Sequence, residues 1–462
     1  MTRVNLTSGS ILKGIVAFMI PLIIGNVFQQ LYSLVDAIIV GQTLGNTAFT
    51  GVGATSSATF LVLGFASGLA AGLTVPTSQY YGASNFEKLR NSITTSFFLS
   101  IIISLVLTVI SLVCTKPLLE LLNTSDTLMP YAYSYMITIF LGIPVTIFYN
   151  IVGFILRAVG DSKTPLYALI FASILNIGFD FLFILTFKMG TAGAGWATLL
   201  SQFISGLICI IYMFKKYPFL RLEKKDWKLN LKFIALHLKI SIPLAFQYSI
   251  IAIGLMVQQA AVNGLDKNNP NIIDDLYATS YIAGSRIIGF GNVIVSALGT
   301  TMATYCGQNF GASNLDRIKK GFKISIFVSI VLSLIIGLII LIFGRYLILL
   351  FLKEANQEII STSVEYMNIS AYFFIFLTSI YVFRSGLQGL GEASATMIAG
   401  ILELIMRILA SILFAQFFGW IGICFSDPSA WIGANIALIP SLLYFLRKYT
   451  IQDKKGIFGI NS

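Results

Sequence analysis

The sequence predicts an all-α polytopic membrane protein with twelve transmembrane helices, arranged in two pseudo-twofold related six-helix lobes around a central cavity. Three observations predict this fold. Of the 462 residues, 56% are hydrophobic and only 11% are charged, whereas a soluble domain carries roughly 25% charged residues. Apolar stretches of about 20 residues recur along the chain, each long enough to cross a hydrocarbon core of roughly 30 Å as a helix. An internal repeat divides the chain into two similar halves.

Twelve apolar stretches follow one another along the chain, and each must be helical because lipid offers no partner for backbone N–H and C=O groups. The first stretch is too long for the core of a signal peptide and has no clear small-residue cleavage site behind it, so we expect it to be retained as the first span. The predicted spans are 14–41, 52–80, 91–114, 131–156, 164–187, 191–214, 239–263, 277–306, 320–350, 366–387, 394–417 and 429–446.

The loop charges predict the orientation of these spans. With twelve spans, both termini and five alternate loops share one side of the membrane, and that side carries 22 Lys and Arg against 7 acids. The other six loops carry 5 Lys and Arg, among them Lys353, against 9 acids, among them Asp274 and Asp275. Because cytoplasmic loops are enriched in Lys and Arg, we expect a cell-membrane protein with both termini and the basic Lys215 to Lys239 linker in the cytoplasm. The net charge of +11 then requires no nucleic-acid partner.

Two motifs recur in the same order in both halves of the chain. The string Q-Y-Y-G-A-S-N-F-E-K-L at 79–89 returns as Q-N-F-G-A-S-N-L-D-R-I at 308–318. The string L-R-A-V-G-D at 156–161 returns as L-Q-G-L-G-E at 387–392. The two halves are therefore homologous, with six spans each.

The first spans of the halves also correspond, with Pro21 in M-I-P-L and Pro243 in S-I-P-L. Because equivalent spans are separated by six crossings, the halves run parallel and are related by an axis along the membrane normal. We expect an N-lobe at 1–214, a cytoplasmic basic linker at 215–238, and a C-lobe with a short cytoplasmic tail at 239–462.

Three acids lie deep in the predicted spans: Asp36, Asp180 and Glu403. A carboxylate in hydrocarbon costs at least roughly 2.5 to 3.5 kcal/mol, so each needs a partner, a cavity or a proton, and each is a functional candidate. Polar residues at three- or four-residue steps form one stripe on each of three N-lobe helices. The stripes are Asn26, Gln29, Ser33 and Asp36 on the first span, Ser173, Asn176 and Asp180 on the fifth, and Thr198, Ser201, Gln202 and Ser205 on the sixth. Where they converge, oxygen ligands suit Na⁺ and two nearby carboxylates favour a proton, so both ions stay open.

The C-lobe offers fewer polar candidates. Glu403 and Arg407 are four residues apart on the eleventh span, the spacing of a helical ion pair, and we interpret them as a structural pair. Gln247 and Gln258 share one face of the seventh span, where they either line the substrate path or join helices by hydrogen bonds. The candidates for the substrate cavity are Asn26, Gln29, Ser33, Gln202, Gln247 and Gln258. Arg286 is the other deep cation that we identify, without an assigned partner.

No catalytic or metal cluster is visible in the sequence. The only histidine, His237, falls in the predicted linker, and the four cysteines lie singly in apolar segments, so neither a zinc site nor a disulfide framework is indicated. No G-x-x-x-x-G-K-[ST] string is present, which disfavours an ATP-driven pump. We predict no enzyme activity, no cofactor and no metal apart from a Na⁺ at a coupling site.

Pro21 with Asp36, the string Q-Y-Y-G-A-S-N from Gln79, the string R-A-V-G-D-S-K-T-P at 157–165 and the register of the repeat form a joint pattern. With this pattern the chain resembles the multidrug and toxic compound extrusion (MATE) family over essentially its whole length. The resemblance implies cation-coupled antiport that exports amphipathic, often cationic, organic compounds in exchange for H⁺ or Na⁺. We expect a monomer whose partners are small organic substrates and the lipid bilayer.

The resemblance also implies a coupling site. The N-lobe site of the family consists of a first-span Asp, an Asn and an Asp four residues apart on the fifth span, and a sixth-span Thr. The residues that match it are Asp36, Asn176, Asp180 and Thr198. The family further implies a first helix that bends at Pro21 as its Asp is protonated, with a static kink as the alternative. One branch of the family uses acids on the seventh and tenth spans, but those spans contain no acid here, so the N-lobe site is favoured.

Other function classes stay open as alternatives. A flippase for lipids or lipid-linked saccharides shares this architecture, but a pyrophosphate would favour a more cationic cavity than Arg286 and Arg407 provide. An intramembrane enzyme lacks a catalytic constellation, and a channel suits a two-lobe repeat with buried acids less well than alternating access does. Collapse of organic-cation efflux with an uncoupler would separate an antiporter from a channel or an enzyme.

Overall fold

A computed structural model describes residues 3–122, 124–228, 230–268, 276–351, 356–455 and 458–459. The described residues form helices joined by short turns, and no strand occurs among them. Asp274, Asp275 and Lys353, which enter the predicted loop charges, lie outside the described residues.

The helices follow the order of the repeat. The first half contains α1 Ile11–Leu44, α2 Asn46–Ala54, α3 Ser56–Gly82, α4 Phe86–Leu121, α5 Met129–Leu141, α6 Ile143–Ala158, α7 Lys163–Asp180 and α8 Thr191–Lys216. The second half contains α9 Leu231–Asn268, α10 Leu276–Gly311, α11 Leu315–Phe351, α12 Gln357–Tyr372, α13 Phe374–Gly389, α14 Ala393–Leu409, α15 Ala415–Cys424 and α16 Ser426–Lys454. Two π-helical segments, Phe181–Thr186 and Ala410–Phe414, continue α7 and α14.

The described helices account for twelve spans. Ten helical segments in these ranges are long and apolar enough to cross a bilayer, and there are twelve when each of two bent pairs counts as one span. The bent pairs are α5 with α6 and α12 with α13, each broken by 50°. They stand at the fourth and the tenth span, so the bend is part of the repeat. By contrast, α1 runs as one helix through Pro21.

Each lobe has its own apolar core, and the first helices of the lobes cross between them. Ile15 and Phe18, near the start of α1, belong to the C-lobe core. Phe233 and Ile242, near the start of α9, pack against the N-lobe core. Both helix starts lie at the end of the bundle that carries the termini and the linker, which we call the basic end. The lobes are therefore interlocked at the basic end.

The residues between α8 and α9 pack against the N-lobe. Two short 3-10 helices lie there, and Asp226 in the second of them pairs with Arg90 of α4 at 2.9 Å. The prediction that His237 lies in the linker is wrong, because α9 already begins at Leu231. His237 is buried, with Nε2 2.9 Å from the Ser92 hydroxyl and Nδ1 2.7 Å from the carbonyl oxygen four residues before it. The apolar residues around it extend the helix beyond the predicted start of the span.

The repeated G-A-S-N turns have the same conformation in both lobes. Ser84 and Ser313 both adopt a left-handed backbone, with φ of 56° and 52°. Asn85 and Asn314 then each accept a hydrogen bond of 3.1 Å from the backbone N–H three residues further on, which caps the helix that follows. The sequence repeat is thus a structural repeat down to its turn geometry.

Candidate functional site

Four N-lobe residues singled out by the sequence lie together between α1, α7 and α8. Asp36 lies on α1, Asn176 and Asp180 lie at the end of α7, and Thr198 lies on α8. Asn176 and Asp180 are buried, and the other two are half-buried. Beyond Asp180 the helix continues as the π-helical segment Phe181–Thr186, a local widening that is frequent at functional sites. We call these four residues the N-lobe site.

Asp180 is the centre of the hydrogen bonds at the N-lobe site. Its carboxyl group interacts with that of Asp36. With the Asn176 amide oriented so that its nitrogen faces Asp180, Oδ2 of Asp180 accepts from that nitrogen at 3.1 Å. The side-chain oxygen of Asn176 accepts from the backbone N–H of Thr198 at 3.2 Å. The Tyr32 hydroxyl donates to Thr198 Oγ1 at 3.1 Å. These contacts tie α1, α7 and α8 together through one polar pocket.

The two facing carboxyl groups determine the chemistry of the N-lobe site. Among the described residues neither Asp36 nor Asp180 has an ion pair with a basic side chain, and the Oδ1 atom of each has no hydrogen-bond partner. Two interacting carboxylates repel each other, so the pair is stabilised by one proton or one cation. The side chains that can face that cation offer oxygen atoms, which suit a proton or Na⁺ better than a transition metal.

Three candidates for the substrate cavity lie on α1 before Asp36. Gln29 and Ser33 are exposed. Asn26 instead crosses the lobe boundary, where its side-chain nitrogen donates to the Ser296 hydroxyl of α10 at 3.1 Å. The polar stripe of α1 therefore continues from the N-lobe site to the surface between the lobes.

The three glutamine candidates make hydrogen bonds between helices. Gln202 accepts from a threonine hydroxyl of α6 at 3.0 Å, inside the N-lobe. Gln247 accepts from the side-chain nitrogen of Gln388 at 3.2 Å. Gln258 donates to Asp427 Oδ2 at 3.1 Å. Gln247 and Gln258 therefore join helices by hydrogen bonds.

Four charged side chains form a buried group in the C-lobe, which we call the C-lobe cluster: Arg384 on α13, Glu403 and Arg407 on α14, and Asp427 on α16. Arg384 Nη2 lies 2.5 Å from Glu403 Oε2. Arg407 Nη1 lies 3.6 Å from Glu403 Oε1, and Arg407 Nη2 lies 3.1 Å from Asp427 Oδ1. Glu403 and Arg407 are thus in contact, but Arg384 is the closer partner of Glu403.

The prediction of three deep acids is wrong, because Asp427 is a fourth. The predicted twelfth span starts at 429 and leaves Asp427 outside it, whereas α16 begins at Ser426 and Asp427 is buried in its first turn. Pro428 is the sequence feature that indicates the earlier helix start, since proline is favoured in the first turn of a helix.

The prediction that Arg286 and Arg407 are the deep cations is also wrong. Arg384 is buried within the predicted tenth span. An arginine inside an apolar stretch is by itself an indication of a deep cation. Arg286 is exposed on α10. The tenth span therefore carries a buried cation, Arg384, that the prediction does not include.

A cavity of about 460 Å³ separates the C-lobe cluster from α3 of the N-lobe. Five aromatic side chains line it, together with aliphatic and polar residues and all four members of the C-lobe cluster. The aromatic ones are Tyr281, Tyr366, Tyr381 and Trp431 on the C-lobe side and Phe60 on the N-lobe side. This volume is in the range of pockets that bind organic molecules, roughly 300 to 1,000 Å³.

At the basic end, two symmetric hydrogen bonds join the lobes, and we call them the Gln latch. Gln79 donates from Nε2 to the carbonyl oxygen of Gly389 at 3.0 Å, and Gln308 donates from Nε2 to the carbonyl oxygen of Ala158 at 2.8 Å. Both glutamines are buried. Each opens one copy of the first repeated motif and bonds the second repeated motif of the other lobe.

The backbones of α3 and α10 touch beside the Gln latch. A Cβ atom at Gly82 would overlap the carbonyl oxygen of Gln308, and a Cβ atom at Gly311 would overlap that of Gln79. No side chain fits between the helices there, so the lobes are closed at the basic end.

Comparisons with known proteins agree with this architecture. The family model described as MatE matches residues 21–182 and 273–413. The chain is 29% identical over 426 residues to the probable multidrug resistance protein YpnP of Bacillus subtilis, covering 92% of this chain and 93% of that protein. It is 24% identical to the multidrug export protein MepA of Staphylococcus haemolyticus, covering 98% and 97% of the two chains. It also superposes with a TM-score of 0.86 on a multidrug resistance MATE family transporter in an outward-facing conformation, at 23% identity over 96% of this chain and 97% of that one.

Proposed function

The chain belongs to the MatE family, and on that premise we propose that it is a secondary antiporter that exports amphipathic, often cationic, organic compounds in exchange for H⁺ or Na⁺. The observation that carries this proposal is the pair of facing carboxyl groups of Asp36 and Asp180, for which the described residues supply no basic partner. Such a pair takes up a small cation because it is costly when both groups are charged and unpaired. The multidrug export proteins to which the chain is similar support the substrate class.

Cation binding at the N-lobe site is coupled to the position of α1. Asp36 lies on α1 and Asp180 on α7, so a cation shared by the two carboxyl groups draws these helices together. Tyr32 adds a second link from α1 to α8, and Asn26 links α1 to α10 of the other lobe. A shift of α1 on cation loss therefore reaches the surface between the lobes, where the substrate cavity lies.

Transport further requires that the cation and the substrate bind differently in the two facing states. The Gln latch closes the basic end, which we assign to the cytoplasm because the loops at that end are rich in Lys and Arg. Opening of the latch admits substrate from the cytoplasm, and cation binding from outside favours its release there. The membrane potential contributes a driving force of about 2.3 kcal/mol for each charge that moves across 100 mV.

The proposal is tested in proteoliposomes that contain the purified full chain and the cationic dye rhodamine 123. Gradients of H⁺ and of Na⁺ are imposed separately, and each is then collapsed with a matching ionophore. We expect dye movement against its own gradient with one of the two ions, which also identifies the coupling ion. Dye movement that only follows the dye gradient, whatever the ion gradients, would refute antiport and support a channel.

A further inference from the structure

The C-lobe cluster contains hydrogen-bond donors that no group of the protein satisfies. Asp427 is fully engaged, because Arg407, Tyr366 and Gln258 bond its two oxygens at 3.1, 2.7 and 3.1 Å. In contrast, three buried N–H positions have no hydrogen-bond partner: Nε of Arg384, and Nε and Nη1 of Arg407. Buried donors on a charged group without an acceptor are unfavourable. A water molecule or an anionic group would supply the acceptor that these donors need.

All four members of the cluster line the cavity, and Arg384 is the more exposed of its two arginines. Its side chain is 11% exposed, against 3% for Arg407, and it lines the cavity of about 460 Å³. A guanidinium group presents five N–H donors in a planar fork that matches a carboxylate. Nη2 of Arg384 is engaged by Glu403 and Nε is buried, so Nη1 is the donor left for a second carboxylate.

A ligand carboxylate can bind Arg384 while Glu403 keeps an ion-pair partner. It lies between the two arginines, 2.5 Å from Arg384 and 3.6 Å from Arg407. When an incoming carboxylate takes a share of Arg384, Glu403 can close the longer distance to Arg407 Nη1. Neither a cation nor an anion of the cluster is then left unpaired, which is the costly outcome for buried charges.

The walls of the cavity identify the rest of the ligand. The rings of Tyr281 and Tyr366 meet edge to face at a centroid distance of 5.3 Å, and Tyr381 lies beside Arg384 in the same wall. Phe60 of α3 lines the opposite side. Aromatic and aliphatic side chains around a small group of charged residues are typical of a pocket for a flat, largely apolar molecule.

We propose that the C-lobe cluster is a binding site for the carboxylate of an aromatic organic acid, with Arg384 as its anchor. This inference rests on the proposed function, because the bound compound would be a substrate of the same antiporter. It extends the substrates from cations to compounds that carry a carboxylate. The site is separate from the N-lobe site, so the carboxylate does not compete with the coupling cation for Asp36 and Asp180.

The test uses two dyes that differ in one group. Rhodamine 110 carries a free carboxylate, and rhodamine 123 is its methyl ester. Binding of each dye to the purified full chain is measured by fluorescence anisotropy, without any gradient. We expect Arg384→Gln to weaken rhodamine 110 binding about tenfold or more, the range for a hydrogen bond to a charged group, and to change rhodamine 123 binding less than about twofold. Arg286→Gln, at the exposed arginine of α10, is the matched control and should alter neither.

The outcomes separate this inference from the proposed function. Equal weakening of both dyes by Arg384→Gln, or no change for rhodamine 110, overturns the carboxylate site even if rhodamine 123 transport is gradient-coupled. Loss of gradient coupling with intact dye selectivity overturns only the antiport mechanism. If Arg384→Gln does not fold, wild-type protein decides: naphthalene-1-carboxylate should displace rhodamine 110 better than 1-naphthylmethanol does, and equal displacement contradicts the proposal.

Discussion

The N-lobe site and the C-lobe cluster lie at equivalent places of the repeat, but their buried charged groups have different partners. Asp36 follows Pro21 by fifteen residues, and Gln258 follows Pro243 by the same number. Likewise Asn176 follows Gly160 by sixteen residues, and the residue at that distance from Gly391 is Arg407. One lobe therefore presents two carboxyl groups to each other, and the other replaces an acid by an amide and an amide by a guanidinium.

The two lobes therefore differ in whether their buried acids have a basic partner. The guanidinium of Arg407 is an internal cation, 3.1 Å from Asp427 and 3.6 Å from Glu403, so the C-lobe acids have a basic partner within the protein. Asp36 and Asp180 have none among the described residues. The same backbone frame, including a π-helical segment after each position, thus holds one pair of acids without a basic partner among the described residues and one group of acids that is already neutralised.

The largest effect that would test this comparison is loss of coupling at the N-lobe site. We expect Asp36→Asn and Asp180→Asn each to abolish gradient-driven rhodamine 123 movement in proteoliposomes. The protein should still fold, because an amide is cheaper in lipid than a carboxylate. Dye binding, measured by anisotropy, should survive.

Asp126→Asn is the matched control, since Asp126 is exposed in the turn before α5, and it should transport normally. Normal gradient-coupled transport by Asp36→Asn would show that the coupling cation binds elsewhere.

The next effect concerns stability, and it should appear in the C-lobe. Glu403→Gln removes the ion-pair partner of Arg384 at 2.5 Å, and breaking a buried ion pair costs about 3 to 5 kcal/mol. We expect the free energy of unfolding in detergent to fall by about this amount, with coupling retained in the folded fraction. Glu365→Gln, at an exposed position of α12, should leave it unchanged. A stable Glu403→Gln protein without coupling would move the coupling site to the C-lobe.

The sequence was sufficient to predict the fold because its signals are long and repeated. Apolar stretches, the two copies of Q-x-x-G-A-S-N and the equivalent prolines predict twelve spans in two lobes, and the helices agree. What it did not predict depends on where a helix starts. The predicted spans leave Asp427 and His237 outside the helices. Both residues lie in helices that begin earlier than the predicted spans do.

Helical periodicity predicts polar partners within one helix, and the resemblance to the MATE family supplied the grouping of four residues across three helices. The stripes on α1, α7 and α8 follow from helical periodicity, and the structure brings Asp36, Asn176, Asp180 and Thr198 together. The pairing of Arg384 with Glu403 joins α13 to α14 and has no local spacing rule. The exchange of hydrogen bonds in the Gln latch likewise needs the packing of the two lobes, which periodicity does not contain.

Where the lobes are alike, equivalent substitutions should have equal effects, and the glycines beside the Gln latch test this. Gly82→Ala and Gly311→Ala each place a Cβ atom against a backbone carbonyl oxygen, and overpacking of this kind costs about 1 to 3 kcal/mol. The closed state at the basic end should weaken by that amount in both variants. The measure is the rate at which maleimide labels a single cysteine at Thr304, which lines a small cavity behind the latch. Gly153→Ala, with no heavy atom near its new Cβ, is the control.

The smallest effect is expected from the Gln latch itself. Gln79→Met and Gln308→Met keep the shape of the side chain and remove the donor, so each loses one hydrogen bond of 3.0 or 2.8 Å, worth about 0.5 to 1.5 kcal/mol. Since 1.4 kcal/mol is about a factor of ten in population, the labelling rate at the Thr304 cysteine should rise about two- to tenfold in each variant and further in the double variant. Gln452→Met, also at the basic end, should leave the rate unchanged. If one glutamine proved essential for closure and the other had no effect, the two lobes would not contribute equally to closure. The lobes would then be equivalent in their G-A-S-N turns but not in the Gln latch.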